Sequence, residues 1–225
     1  MEKVDEKKKP RVISVYSSQD FQNGIHSAAQ CLLSGGLVAY PTESFYGLAV
    51  DATNEEAIER LFLVKKRRTS SPVLILIQSV QVLEQYVAHI PQVAHRLIEA
   101  FWPGGLTLVF DAGPKVSPLL TAGTGKIGIR LSSHPVATAL TREIQGPITG
   151  TSANISGEPA CRNGEEILRA FGEGVDLIMD GGQTAGEIGS TVLDVTTDPP
   201  LILRKGMIRR EYLEKFISAV GDDRT

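Results

Sequence analysis

A single α/β domain with a mixed β-sheet and flanking helices is the fold this sequence predicts, on three observations. Apolar runs of strand length, at residues 37–40, 73–77 and 106–110, alternate with stretches whose apolar residues recur at helical spacing. Consecutive strand-like segments at 190–195 and 201–203 break that alternation and make the sheet mixed. A length of 225 residues at 42% hydrophobic composition supplies one sizeable core.

In chain order, residues 1–10 form a charged tail and residues 11–225 the domain. The first strand is expected over 11–16. A helix follows from Asp20, where Phe21, Ile25, Ala28, Ala29, Leu32 and Leu33 make its buried stripe and Gly35-Gly36 stops it. The run 37–40 enters Pro41, which lacks a donor and restricts the residue before it, so a buried strand ends there. Thr53-Asn54-Glu55-Glu56 has the form of a capping box with Thr53 as the cap, opening a helix that buries Ile58, Leu61 and Phe62. Further helices are expected over 80–88, from Gln92 to Phe101, after Pro135 and over 165–171, with strands at 127–131, 147–149 and 175–179. An amphipathic helix over 210–220 closes the domain. Trp102, the single tryptophan, is expected to pack over the core.

The formal charge of -3 speaks against a surface given over wholly to polyanions. Cys31 and Cys161 have no CxxC spacing, and His26, His89, His95 and His134 form no metal-ligand pattern, so no structural zinc is expected. The charged N-terminus precedes no apolar segment, and no run approaches the roughly 18 apolar residues of a span, so a cytoplasmic protein without a membrane partner is expected.

Hydroxyls and cations gather at the predicted strand ends. Thr42, Glu43 and Ser44 follow Pro41 at the mouth of the sheet, where open α/β sheets hold small ligands. Lys65, Lys66, Arg67 and Arg68 end the next helix, an arrangement that the helix macrodipole favours in its own right. Gly123-Thr124-Gly125-Lys126-Ile127-Gly128 fits GxGxxG but leads into a strand rather than a helix, and Leu120 and Ile127 occupy the positions at which a Walker A loop needs Gly and Ser or Thr. Both readings are rejected. Arg130 then ends a strand as a carboxylate fork. Residues 150–157, Gly-Thr-Ser-Ala-Asn-Ile-Ser-Gly, read either as a phosphate-cradling loop or as an ordinary turn. Ser190 and Arg204 stand at later strand ends. The set suits an anionic, phosphorylated ligand such as a nucleotide with Mg2+ on its phosphates.

The segments Tyr40-Pro41-Thr42-Glu43-Ser44-Phe45-Tyr46-Gly47-Leu48, Lys65-Lys66-Arg67 with Pro72, Phe101-Trp102-Pro103-Gly104-Gly105-Leu106-Thr107, Ile129-Arg130 with His134-Pro135, Thr151-Ser152-Ala153-Asn154-Ile155-Ser156-Gly157 and Ser190-Thr191-Val192 with Leu203-Arg204 occur in this order. Together they resemble the YrdC domain family of L-threonylcarbamoyladenylate synthases. The resemblance implies a YrdC-like twisted mixed sheet with a concave, locally positive face. It also implies synthesis of threonylcarbamoyl-AMP and pyrophosphate from L-threonine, bicarbonate or CO2 and ATP, for the threonylcarbamoyladenosine modification of tRNA. The KxR and SxN pairs that mark the synthases stand here as Lys65 with Arg67 and Ser152 with Asn154. By the same resemblance Thr42 or Ser44 and Arg130 hold threonine, and Arg67, Ser71, Ser152, Asn154, Ser190 and Arg204 line the nucleotide. Lys65 steadies the carbamate or the α-phosphate, and Mg2+ enters with ATP.

Proteins that transfer the threonylcarbamoyl group to tRNA are the implied partners, with tRNA or RNA contact through the concave basic face. Arg68, Ser71, Ser44 and Lys126 depart from the usual pattern, and Lys126 bears most on amino-acid choice. Longer members carry a second C-terminal domain, for which the chain is expected to leave no room. Two other readings remain: an RNA-binding module, and a regulatory nucleotide-binding module without turnover. As surface cations, Lys65 and Arg67 are expected to matter for synthesis and little for stability.

Overall fold

A computed structural model, which describes residues 9–217 and 219–222, has the expected mixed α/β class with its strands divided between two sheets. Most of the predicted tail, residues 1–8, lies outside the described residues. In chain order the first strands are β1 (Arg11–Ser14), β2 (Val38–Pro41), β3 (Tyr46–Ala49), β4 (Ile75–Leu76), β5 (Leu106–Asp111) and β6 (Lys126–Arg130). They are followed by β7 (Ile148–Thr149), β8 (Thr151–Ser152), β9 (Leu177–Asp180), β10 (Thr191–Asp194), β11 (Leu201–Arg204) and β12 (Gly221–Asp222). One sheet has the order β1-β9-β2-β3-β8 and the other β12-β11-β10-β5-β6-β4-β7.

Strand β2 is fully buried and ends at Pro41 as expected, but the chain then turns straight back as β3, pairing Tyr40 with Gly47 and Pro41 with Tyr46. Gly47 is required there: a Cβ would lie 2.8 Å from Tyr40 Cζ. Helix α1 (Ser18–Leu33) is capped by Ser17 and buries Ile25, Ala28, Ala29 and Leu32 of the predicted stripe, with Phe21 partly buried and Leu33, at the last turn, exposed. Helix α2 (Glu55–Val64) is capped by Asn54, whose side chain accepts from the Ala57 amide, and not by Thr53. The Thr53 hydroxyl is drawn away by Asp51 Oδ1 at 2.7 Å.

Residues 80–85 form a 3-10 helix instead of an α-helix. Helix α3 (Gln92–Phe101) leads to Trp102, which packs into the core and donates to Leu106 O at 2.7 Å. Short α4 (Pro118–Thr121), then α5 (Pro135–Glu143) and α6 (Gly164–Phe171), complete the layers. The expected closing helix is only a turn, α7 (Arg210–Leu213), because the chain resumes a strand at Gly221 beside Leu201.

The larger core lies beneath α2, β5 and β6 and takes in Ile58, Leu61, Leu108 and Ile129. Helices α1 and α5 cover a second cluster with Leu32, Val38 and Leu140. Among the described residues no helix is long and apolar enough to cross a membrane.

Candidate active site

A cavity of about 360 Å3 opens between the sheets, within the range of small-ligand sites. One wall comes from the β2–β3 turn and β8, the other from β5, β6, β10 and β11. Strand β6 shows how a wall is made: Ile127 and Ile129 enter the core, while Lys126, Gly128 and Arg130 line the cavity.

Seven of the ten residues singled out in the sequence line this cavity: Thr42, Ser44, Arg67, Arg130, Ser152, Ser190 and Arg204. Thr42 Oγ1 donates to Phe45 O at 2.6 Å and accepts from the Ser44 amide, so its hydroxyl closes the hairpin turn. That leaves Ser44 as the hydroxyl this turn offers to a ligand. Ser190 Oγ lies 2.9 Å from Thr107 Oγ1 and accepts from Arg204 Nη2 at 2.9 Å. Arg204 also donates through Nε and Nη2 to Ser190 O, which ties its guanidinium to the residue just before β10.

Three arginines converge. Burial pushes Arg204 below the ordinary arginine range, and the charges of Arg130 and Arg67 push the same way. Burial likewise lowers Arg67, whose Nε and Nη2 are held by Ser71 O at 3.2 Å and Pro72 O at 2.7 Å. Ser71 therefore serves the site through its carbonyl, and its side chain is not among the cavity walls. Arg130 is 6% exposed and pairs through Nη1 with Glu43 Oε1 at 2.6 Å.

Lys65 departs from its expected surface place. It is 1% exposed and stands behind the cavity wall. Its Nζ donates to Ser152 O, to Asn154 O at 2.8 Å and to Asn154 Oδ1 at 3.3 Å, and its own carbonyl accepts from the Ser156 amide. Asn154 stands behind the wall as well, with Nδ2 donating to Ile155 O and Glu158 O and Oδ1 accepting from Ser152 Oγ at 2.7 Å. The KxR and SxN residues thus divide by position. Arg67 and Ser152 face the cavity; Lys65 and Asn154 brace the loop.

Burial pushes the Lys65 ammonium down to about 7, and the neighbouring Arg67 charge pushes it the same way. The three oxygens favour the charged form, because a neutral amine has too few N–H groups for all of them. A backbone turn separates Lys65 from Arg67. Lys66 has φ 49°, the left-handed region, so the helix ends at Lys65 and Arg67 swings to the cavity.

Lys126 lies at the other end of β6, paired with buried Asp194 at 2.8 Å. Burial lifts both thiols to about 11, which leaves Cys31 and Cys161 protonated and unsuited to nucleophilic attack at neutral pH. Thr107, Ser132 and Gly206 also build the site and were not singled out from the sequence, and Glu43, placed at the mouth of the sheet, was given no role there. The signal for Glu43 is its strand-end place between two cavity hydroxyls.

The two sheets face a cavity lined by cations and hydroxyls, with the cations convergent rather than spread along a surface, a composition that suits a small anionic ligand. The chain belongs to the Sua5/YciO/YrdC family: the family model, described as telomere recombination, matches residues 30–206. The threonylcarbamoyl-AMP synthase of Pyrococcus abyssi is 38% identical over 196 residues, covering 87% of this chain and 58% of the relative. That of Bacillus subtilis is 37% identical over 201 residues, covering 89% and 58%. The structure of P. abyssi Sua5 complexed with L-threonine superposes with a TM-score of 0.89 at 35% identity, covering 94% of this chain and 62% of that one. The chain thus spans less than two thirds of the length of these relatives.

Proposed function

We propose that the protein synthesises L-threonylcarbamoyladenylate from L-threonine, bicarbonate or CO2 and ATP, releasing pyrophosphate. The observation that carries the reading is the convergence of Arg67, Arg130 and Arg204 on one cavity whose walls also present the hydroxyls of Ser44, Ser152 and Ser190. Family membership and the L-threonine complex of the P. abyssi relative support it.

The threonine amine takes up CO2 as a carbamate, losing a proton. A carbamate oxygen then attacks the α-phosphorus in line, forming the mixed anhydride as the bond to pyrophosphate breaks. Two anions must meet, so fixed cations and aligned hydroxyls supply the catalysis, and no covalent protein intermediate is required. Arg130 would take the threonine carboxylate and Ser44 its polar end. Arg67, Arg204, Ser152 and Ser190 would hold the phosphates and the nucleotide. Asn154, Ser71 and Lys65 act from behind the wall, by holding Ser152 and Arg67 in place. Mg2+ enters bound to ATP as part of the substrate. In the cytoplasm, transfer proteins would pass the product on to tRNA.

The test is pyrophosphate release by the purified chain with Mg-ATP and bicarbonate, with L-threonine and with L-serine or L-alanine in its place. Threonine-dependent release with threonylcarbamoyl-AMP seen by mass spectrometry is expected. ATP binding without release would overturn the synthase reading in favour of a regulatory nucleotide binder.

A further inference from the structure

We propose that Glu43 is a positioning residue for the amino-acid end of the cavity, clasping Arg130 across the two sheets and setting how its guanidinium meets the substrate carboxylate. The inference rests on the proposed reading of Arg130 as the carboxylate fork.

The hairpin turn sends Thr42 and Ser44 to the cavity, while Glu43 reaches the end of β6. Its two oxygens are both engaged: Oε1 by Arg130 Nη1 at 2.6 Å, Oε2 by Ser132 Oγ at 2.8 Å. Ser132 is fixed in turn. Its Oγ accepts from the His134 amide at 3.2 Å, and its carbonyl accepts from Thr138 Oγ1 at 3.0 Å. The hairpin belongs to one sheet and β6 to the other, so this carboxylate joins the two walls of the cavity.

The pair is buried, with side-chain exposures of 7% for Arg130 and 13% for Glu43. A buried ion pair adds little net stability over apolar packing, so its main effect here is geometric. The clasp also leaves Arg130 unfinished. Its Nε is buried and has no acceptor among the described residues, while the side chain still lines the cavity. The cavity-facing part of the guanidinium is what a substrate carboxylate meets, and Glu43 on Nη1 holds the fork at a fixed angle to Ser44 until it arrives.

Glu43→Gln and Glu43→Ala, measured by pyrophosphate release and by calorimetric threonine binding, test the clasp. Glu43→Gln keeps an oxygen for Arg130 and is expected to raise the threonine KM severalfold. Glu43→Ala is expected to raise it by roughly tenfold or more, with the ATP KM within about twofold of the parent and a smaller threonine-to-serine preference. A lowered melting temperature with threonine KM, binding and preference unchanged in both variants would reduce Glu43 to a structural ion pair and overturn the proposal. Should Glu43→Ala fail to fold, Glu43→Gln carries the test alone. Arg130→Ala separates the two layers. Weakened threonine binding in Arg130→Ala but not in the Glu43 variants overturns the clasp only, whereas unchanged binding in Arg130→Ala overturns the reading beneath it as well.

Discussion

Replacing Lys65 by alanine removes the ammonium that braces the loop behind the cavity, and the cost follows from what each oxygen keeps. Ser152 O retains the Asn154 amide at 3.1 Å, and Asn154 Oδ1 retains the Ser152 hydroxyl at 2.7 Å. Among the described residues Asn154 O has no second donor, so one carbonyl is orphaned at about 1–3 kcal/mol. Truncating the buried stem removes three methylenes, worth up to about 2 kcal/mol, and relief from burying a charge offsets part of the total. The expected loss is roughly 3 kcal/mol, a large share of a typical domain's stability. Lys65→Met keeps the stem and is expected to lose about 1–2 kcal/mol. Urea unfolding midpoints at constant slope measure both, and the ATP KM should rise in each as Ser152 loses its support. If both variants unfold within about 0.5 kcal/mol of the parent while synthesis alone disappears, Lys65 contacts the reactants and the bracing argument is wrong.

Three further outcomes are expected. With Lys65 lowered to about 7 in the fold against an ordinary 10.5, both states hold the proton below pH 7, and between 7 and 10.5 the unfolded chain holds the one that the fold has released; stability of the parent relative to Lys65→Met should therefore rise with pH across that window, and a flat difference by urea titration would mean that the three oxygens retain the proton. Arg67→Ala should fold with less than about 1 kcal/mol lost and raise the ATP KM by tenfold or more with the threonine KM little changed; equal effects on both substrates would misplace the nucleotide. Gly206→Ala would put a Cβ 2.5 Å from the Ser190 carbonyl carbon and against Gly189 O, so it should displace the Ser190–Arg204 wall and weaken ATP binding measured by calorimetry, and wild-type affinity would show that this wall does not hold the nucleotide.

Much that depended on local chemistry was legible in the sequence, though the cap of α2 was not, because Asp51 takes the Thr53 hydroxyl and leaves Asn54 to cap. Pro41 ended its strand because it has no donor to give, and the stripe from Phe21 to Leu33 made a helix because its period allowed one buried face. The division into two sheets was not legible, since it turns on pairings such as Ile75 with Ile129 and Val38 with Leu177, far apart in sequence. The hairpin after Pro41 was hidden by the same Thr-Glu-Ser polar groups that marked the ligand end. At the site, residue type was readable and direction was not. Lys65 and Arg67 look alike as neighbouring cations at a helix end, yet the left-handed φ at Lys66 sends one inward and the other to the cavity. Direction was recoverable only where a period fixes it. Along β6 strand alternation sends Ile127 and Ile129 to the core and Lys126, Gly128 and Arg130 to the cavity, whereas Thr42, Glu43 and Ser44 lie in the turn between β2 and β3, where no period holds and only the structure shows Ser44 at the cavity and Glu43 on Arg130.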